Sequence, residues 1–211
     1  MTYYPVFLNI NHKKCLVCGG GKVALRKVQS LLEHGAAVAV VSPSSCEELR
    51  ALAASGEILL HSREYRAGDL KGASVVIAAT DDRHANQTIA DEARRHGCLV
   101  NAVDDADSSD FIVPACLKRG DMTIAISTSG RSPALARKLR ARLETEFGGE
   151  YTDLVRLVGE VRAAIKTKGL KVNEDTWQEA LDLERLPALI KEGKIEEARA
   201  AITRNLVKGV K

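Results

Sequence analysis

Aromatic side chains are scarce: one tryptophan, four tyrosines and three phenylalanines make up 4% of the 211 residues. Base-stacking surfaces depend on such rings. The 31 Lys and Arg residues are interspersed with 28 Asp and Glu, for a net charge of only +3, so no nucleic-acid partner is expected. Long apolar runs are absent as well. None approaches the roughly 20 residues of a membrane-spanning helix, and no membrane association is expected. The opening stretch, MTYYPVFLNINHKK, lacks a basic start followed by a long apolar segment, so a cytoplasmic protein is expected. The five cysteines are an odd number scattered through apolar runs, which suits buried thiols in a reducing compartment. Cys15 and Cys18 have C-x-x-C spacing. On a strand, residues three apart face opposite sides, so these two read as core thiols and not as a metal or redox pair. There is no internal repeat and no low-complexity tract.

What is present is an alternation of short β-rich runs with helical patterns over the first hundred residues. Strands are expected at Lys14–Cys18, Ala37–Ser42, Glu57–Leu60, Ala73–Ala79 and Cys98–Val103. Helices are expected over Lys22–His34, near Glu47–Ala54 and over about Arg83–His96. Continuous apolar strands alternating with helices describe an α/β domain, a doubly wound parallel sheet covered on both faces. Its ligands belong beyond the carboxyl ends of the strands. After Asp110 the pattern changes. Phe111–Ala115 and Met122–Ser127 read as two strands joined by a tight turn at Arg119-Gly120. A helix, Pro133–Phe147, follows, with Ser132 as N-cap, Pro133 at its first position and Leu135, Leu139 and Leu143 on one stripe. From Tyr151 onward about four amphipathic helices are expected, separated near Gly169, Asn173 and Gly193.

The segment Gly19-Gly20-Gly21-Lys22-Val23-Ala24 fits G-x-G-x-x-A, following a strand and opening a helix. In that context it indicates dinucleotide binding: a tight turn at the first glycine, a close pyrophosphate at the second and helix packing at the small third position. The helix N-terminus then offers free amides to an anion. The second strand ends Val41-Ser42-Pro43-Ser44, with neither the acid that would hold an NAD ribose nor an arginine for a 2′-phosphate. Ser42 or Ser44 is left to bond a ribose hydroxyl, and the expectation leans to NAD.

Acidic residues stand at two strand ends, Thr80-Asp81-Asp82 and Val103-Asp104-Asp105. There they could take a proton while a hydride leaves to a nicotinamide. Asp81 or Asp82 is equally suited to cap the next helix, and Asp104 or Asp105 to shape a turn. Asp104 is the stronger candidate for chemistry. Arg131, Arg137, Lys138, Arg140 and Arg142 cluster around the helix after SGRSP. Arginine suits carboxylate recognition through its planar fork. Arg131 and Arg137 are candidates for substrate or partner contact, and Arg140 and Arg142 read as a solvated face. The five histidines show no paired spacing for a resident metal.

The ordered series YPVFLNINHKKCLVCGGGKVALRK, AATDD, VNAVDD, FIVPA and TIAISTSGRSPALARKLR resembles the siroheme synthase family, closely over roughly residues 3–145. The resemblance implies NAD-dependent oxidation of precorrin-2 to sirohydrochlorin. In many members it also implies insertion of ferrous iron or cobalt. It implies a Rossmann-type NAD-binding domain over 1–112, a dimerisation region over 113–148 that makes a homodimer, and a helical tetrapyrrole-binding region over 149–211. The family's general base falls on Asp104. Its cofactor contacts fall on Gly21, Lys22, Val23, Pro43 and Ser44, with Thr80 and Asp81 in the AATDD region, beside Gly19 of the glycine turn. The sequence departs from some relatives at Thr128, where they carry serine, and at Ser42, where they carry an acid. Three readings stand: a dehydrogenase, a dehydrogenase that also inserts metal, and a non-catalytic NAD-sensing module.

Overall fold

The computed structural model of the protein describes residues 3–208. It divides into two compact units, Met1–Val113 and Pro114–Lys211. The first contains, in chain order, β1 (Lys14–Cys18), α1 (Lys22–Glu33), β2 (Ala37–Val41), α2 (Glu47–Ala54), β3 (Ile58–His61), β4 (Val75–Ala78), α3 (Arg83–Arg95) and β5 (Leu99–Ala102). The five strands form one parallel sheet in the order β3-β2-β1-β4-β5. The chain winds outward from β1 to β3, then returns to the other side of β1 with β4. The reversal lies between β1 and β4, which is where a doubly wound sheet opens a crevice. Expected and observed strand ends differ by one or two residues, the usual scatter of frayed element ends.

Both sheet faces are covered, which is why the strands read as apolar without alternation. On one face Cys15, Val17, Val38 and Val40 pack with Ala24 and Val28 of α1 and Leu49 of α2. On the other Leu16, Cys18, Val76 and Val100 pack with Ile89, Ala90 and Ala93 of α3. Cys15 and Cys18 therefore lie on opposite faces. Burial raises the Cys15 thiol to about 11 and the Cys18 thiol to about 12, the latter with help from the Asp69 and Glu92 charges. Both stay protonated at neutral pH and act as small apolar side chains.

No helix joins β3 to β4. That link is held by side chains: Arg63 grips Asp69 with two bonds of 2.8 and 2.7 Å, and Tyr65 donates to the buried carboxylate of Glu92 at 2.7 Å.

The second unit opens with an antiparallel pair, β6 (Ala115–Arg119) and β7 (Met122–Ile126), followed by α4 (Pro133–Glu146). Helices α5 (Glu150–Thr167), α6 (Glu174–Ala180), α7 (Arg185–Lys191) and α8 (Ile195–Lys208) enclose a core of Leu154, Leu157, Val161, Leu186, Ile190, Ile202 and Leu206. The strand expected over Phe111–Ala115 is not formed there; β6 starts at Ala115 and runs on to Arg119. Pro114 has no amide to give a ladder. Phe111 is drawn into the first unit's core, with its carbonyl accepting from Asn101 Nδ2 at 3.0 Å. Helix α4 begins as expected, Ser132 Oγ accepting from the Leu135 amide at 3.2 Å ahead of Pro133. Two of its three stripe leucines stay exposed, Leu135 at 49% and Leu139 at 38%, while Leu143 is half-buried and Ala136 is the buried residue of the helix.

Candidate functional site

A cleft of about 850 Å³ opens at the carboxyl ends of the first unit's strands. It brings together Gly19, Gly21, Lys22, Val23, Pro43, Ser44, Thr80, Asp81 and Asp104, while Asp105 does not line it. The volume lies in the range of ordinary small-molecule and cofactor pockets, about 300–1,000 Å³.

The three glycines do three different jobs. Gly19 has φ +131°, and a Cβ there would stand 2.2 Å from the Ala79 carbonyl, so it lets β1 turn against the end of β4. Gly20 lies against the loop after β2: a Cβ would meet the Ser44 carbonyl at 1.8 Å, and the Gly20 carbonyl accepts from the Cys46 amide at 2.9 Å. Gly21 has open space where its Cβ would be. It is the N-cap of α1 and supplies no side-chain cap, so the first-turn amides of α1 face the cleft without a side-chain acceptor there. Uncapped amides at the positive end of a helix dipole, with room above them, form an anion cradle.

Beyond β2 the two serines offered as ribose partners, Ser42 and Ser44, differ in their surroundings. Ser42 is buried and its hydroxyl donates to the Ser44 carbonyl at 2.5 Å, which folds the loop back under Gly20. Ser44 remains exposed at the cleft. Arg50, one turn into α2, donates to the Ser45 carbonyl and fixes the same loop.

The two acidic strand ends are sorted by their surroundings. Asp82 is the cap of α3, its Oδ1 accepting from the amides of His84 at 2.7 Å and Ala85 at 3.2 Å. Asp81 is exposed beside it at the cleft. At the end of β5, Asp105 Oδ1 accepts from the amides of Asp107 at 3.1 Å and Ser108 at 3.0 Å. The Ser108 hydroxyl, then the Ser108 and Asp107 amides, hold the Asp105 carboxyl below the usual carboxylate range against the effect of burial. Asp104 makes no such local use of its carboxylate. It is exposed, lines the cleft and has φ +60°. That left-handed backbone costs a side-chain-bearing residue ~1–2 kcal/mol; Asp tolerates it better than most, and such residues cluster at functional sites.

Arg131 and Arg137 stand exposed on the second unit, at the loop before α4 and on its second turn. Arg140 pairs with Glu144 along the same helix. Among the described residues no group of three or more His, Cys, Asp or Glu is placed to hold a metal ion. No described helix is long and apolar enough to cross a membrane.

Residues 6–115 match a family of NAD(P)-binding domains, and residues 119–146 match the central region of sirohaem biosynthesis proteins. The siroheme synthase of Methylococcus capsulatus is 44% identical over 79% of this chain and 35% of its own length. That of Chromobacterium violaceum is 36% identical over 99% of this chain and 45% of its own. The chain belongs to that family of NAD(P)-binding proteins, and its sequence is similar to part of the siroheme synthases. It spans less than half the length of these synthases. Among solved structures, SirC, a precorrin-2 dehydrogenase, has a TM-score of 0.75 and 27% identity, covering 96% of this chain and 100% of that one. A nicotinamide cofactor is thus the ligand class of the family that the first unit matches.

Several residues that line the cleft or support its walls are not singled out by any motif in the sequence. Buried Asn86 clamps the end of β4, accepting from the Thr80 amide at 3.1 Å and donating to the Thr80 carbonyl at 2.9 Å. Glu64 and Tyr65 wall the cleft from the helix-free link after β3. Lys27 sits one turn beyond Val23, half-buried; burial and the neighbouring Arg26 lower its ammonium pKa, against the pull of the Asp104 charge. Gly20 is hidden inside the motif as an x. The only signal for any of these is their distance along the chain from residues already singled out.

Proposed function

We propose that this chain is a precorrin-2 dehydrogenase that oxidises precorrin-2 to sirohydrochlorin with NAD, and that Asp104 is its general base. The observation that carries the reading is the meeting, in one cleft, of the uncapped start of α1 with a carboxylate presented on a left-handed backbone. The residues present fit a nicotinamide dinucleotide: Gly21 leaves room for a pyrophosphate, and the amides of Lys22 and Val23 begin the helix beneath it. Gly19 allows the turn, Pro43 and Ser44 border the ribose side, and Thr80 and Asp81 border the strand-four side. When bound, the cofactor supplies a hydride acceptor. Asp104 takes the proton that leaves the macrocycle as the hydride departs, and the strand ends exclude water from one side of the reaction.

NAD is proposed over NADP because no arginine follows Ser44 directly in the sequence, and Arg50, in the first turns of α2, is engaged with the Ser45 carbonyl. Precorrin-2 is proposed as substrate because SirC bears that activity in its name and matches this chain along its full length. Arg131 and Arg137 are proposed to meet its carboxylates.

We further assign 1–112 to cofactor binding, 113–148 to dimerisation and 149–211 to the tetrapyrrole. The uncovered Leu135 and Leu139 and the open edges of β6 and β7 support a homodimer, which sedimentation mass tests. Five free cysteines support a cytoplasmic setting. The synthase name of the relatives favours a second reading in which ferrous iron or cobalt, as substrate, is also inserted.

The test is anaerobic mixing with precorrin-2 and NAD, following NADH and the tetrapyrrole spectrum, then adding ferrous or cobalt ion. NADH should form, faster than with NADP, and Asp104→Asn should lower kcat by about 10²–10⁴-fold with the cofactor still bound. Metal insertion dependent on the protein would add the second activity. NAD binding without any NADH would overturn the enzyme and leave a sensing module.

A further inference from the structure

The turn that carries Asp104 is closed by a bond of 3.3 Å from the Asp105 amide to the Ala102 carbonyl. That places Asp104 third in a four-residue turn, the position where φ > 0 usually calls for glycine. Something has to hold an aspartate there. The buried hydroxyl of Ser109 is the group in place to do it. Its Oγ accepts from the Ala102 amide at 3.0 Å on the entering side of the turn, and it lies 2.7 Å from the Asp105 carbonyl on the leaving side. The Ala102 carbonyl is 3.1 Å away. With one proton to give, the hydroxyl donates best to the nearer Asp105 carbonyl. It thereby joins the two ends of the turn across Val103 and Asp104, both of which line the cleft.

The neighbouring bonds back this staple. Asp105 gathers the amides of Asp107 and Ser108, and Ser108 Oγ donates to Gln87 Oε1 at 2.6 Å, tying the loop to α3. Buried Asn101, next to Ala102, lies 3.5 Å from the same Ser109 oxygen. Ser109 itself does not line the cleft, so it touches neither substrate nor cofactor directly.

We propose that Ser109 is a positioning residue whose hydroxyl holds Asp104 in the left-handed conformation that aims its carboxylate into the cleft. This rests on the reading of Asp104 as the general base. Loss of the staple lets the turn relax toward negative φ and swings the carboxylate away from its working position. Misplacement on that scale costs up to about 10²-fold in rate.

The experiment is a double-mutant cycle on the full chain, measuring kcat and KM for NADH formation from precorrin-2 together with NAD affinity. Ser109→Ala should lower kcat roughly 10- to 100-fold with KM and NAD affinity unchanged. In the Asp104→Asn background the same change should have no further effect, because the group it positions is gone. Ser109→Thr, which keeps the hydroxyl, should restore most of the rate. If Ser109→Ala does not fold, Ser109→Cys keeps the volume, weakens both bonds and takes its place in the cycle. Equal losses from Ser109→Ala in both backgrounds, or no loss in either, would overturn the positioning role while leaving Asp104 as base. Full activity in Asp104→Asn alone would remove the base and the positioning role with it.

Discussion

Gly20 and Gly21 are adjacent and chemically identical, yet opposite outcomes are expected when each gains one methyl group. At Gly20 the new Cβ would collide with two backbone atoms, the Ser44 carbonyl at 1.8 Å and the Ser45 Cα at 2.8 Å. Backbone cannot step aside as a side-chain tip can. Gly20→Ala should therefore destabilise the first unit by about 1–3 kcal/mol. At Gly21 the methyl enters empty space on an extended backbone with φ −85°, so Gly21→Ala should keep the melting transition within about 1 kcal/mol of the parent. It should nevertheless weaken NAD, because that empty space is where a pyrophosphate would approach the amides. Thermal melts and calorimetric NAD titration of the two variants check both halves; a stable Gly21→Ala protein with undiminished affinity would remove the cradle. The motif announced three glycines at a strand–helix junction and could go no further. What distinguishes them is contributed by the loop after β2, which meets Gly20, and by the end of β4, which meets Gly19, pieces of chain distant in the sequence. The same holds for Ser42, which the sequence offers as a ribose partner and the folded loop uses for itself.

Helix α3 poses the corresponding question one level up, since two aspartates precede it and the sequence leaves open which one starts it. Asp82 accepts from two first-turn amides, and Asp81 projects to the cleft. Asp82→Ala should cost about 1 kcal/mol of stability, within the 0.5–2 kcal/mol of a lost N-cap. Asp81→Ala should leave stability near that of the parent and instead alter cofactor affinity. Urea titrations of the two variants side by side decide it, equal destabilisation counting against the division of labour. Elements of this kind were legible wherever one periodicity ruled: the five parallel strands and α1 to α3 lie close to where the apolar pattern puts them, whereas in the tail Gly169 and Asn173 fall in one link and the break between α6 and α7 has no glycine to mark it. The pattern failed where a local rule met a tertiary one. Phe111-Ile112-Val113 has the composition of a strand, but Pro114 interrupts its ladder and the first unit claims Phe111. The Leu135–Leu139 stripe reads as a buried face, and yet no element of the second unit covers it, so its partner is not contained in that unit's own packing.

Acid stability belongs to the whole molecule, and the Arg63–Asp69 pair is one contributor to it. The link from β3 to β4 has no helix to hold it, and Asp69 takes that role through Arg63 and the Arg66 amide, bonds of 2.8, 2.7 and 2.9 Å. The Arg63 bonds hold the Asp69 carboxyl below the usual carboxylate range, with burial opposing and the Arg66 amide assisting. A carboxyl with a depressed pKa in the folded state binds fewer protons than it does in the unfolded chain. Between the two pKa values stability therefore rises with pH. The contribution is complete above the ordinary Asp value of about 3.9 and disappears as pH falls through the lower folded value. Asp69 is largely buried while Arg63 is about a third exposed, so solvent screening trims the pair, and Asp69→Asn should cost about 1–2 kcal/mol near neutral pH. The gap between parent and variant should then close as the pH is lowered through the acid range, because protonation does to the parent what the substitution has already done to the variant. Urea unfolding of both proteins at about pH 7 and again near pH 3 measures it. A gap that stays constant would place the cost of the substitution in packing and not in the charge. A gap that widens on acidification would reverse the sign and show the pair destabilising the fold at neutral pH.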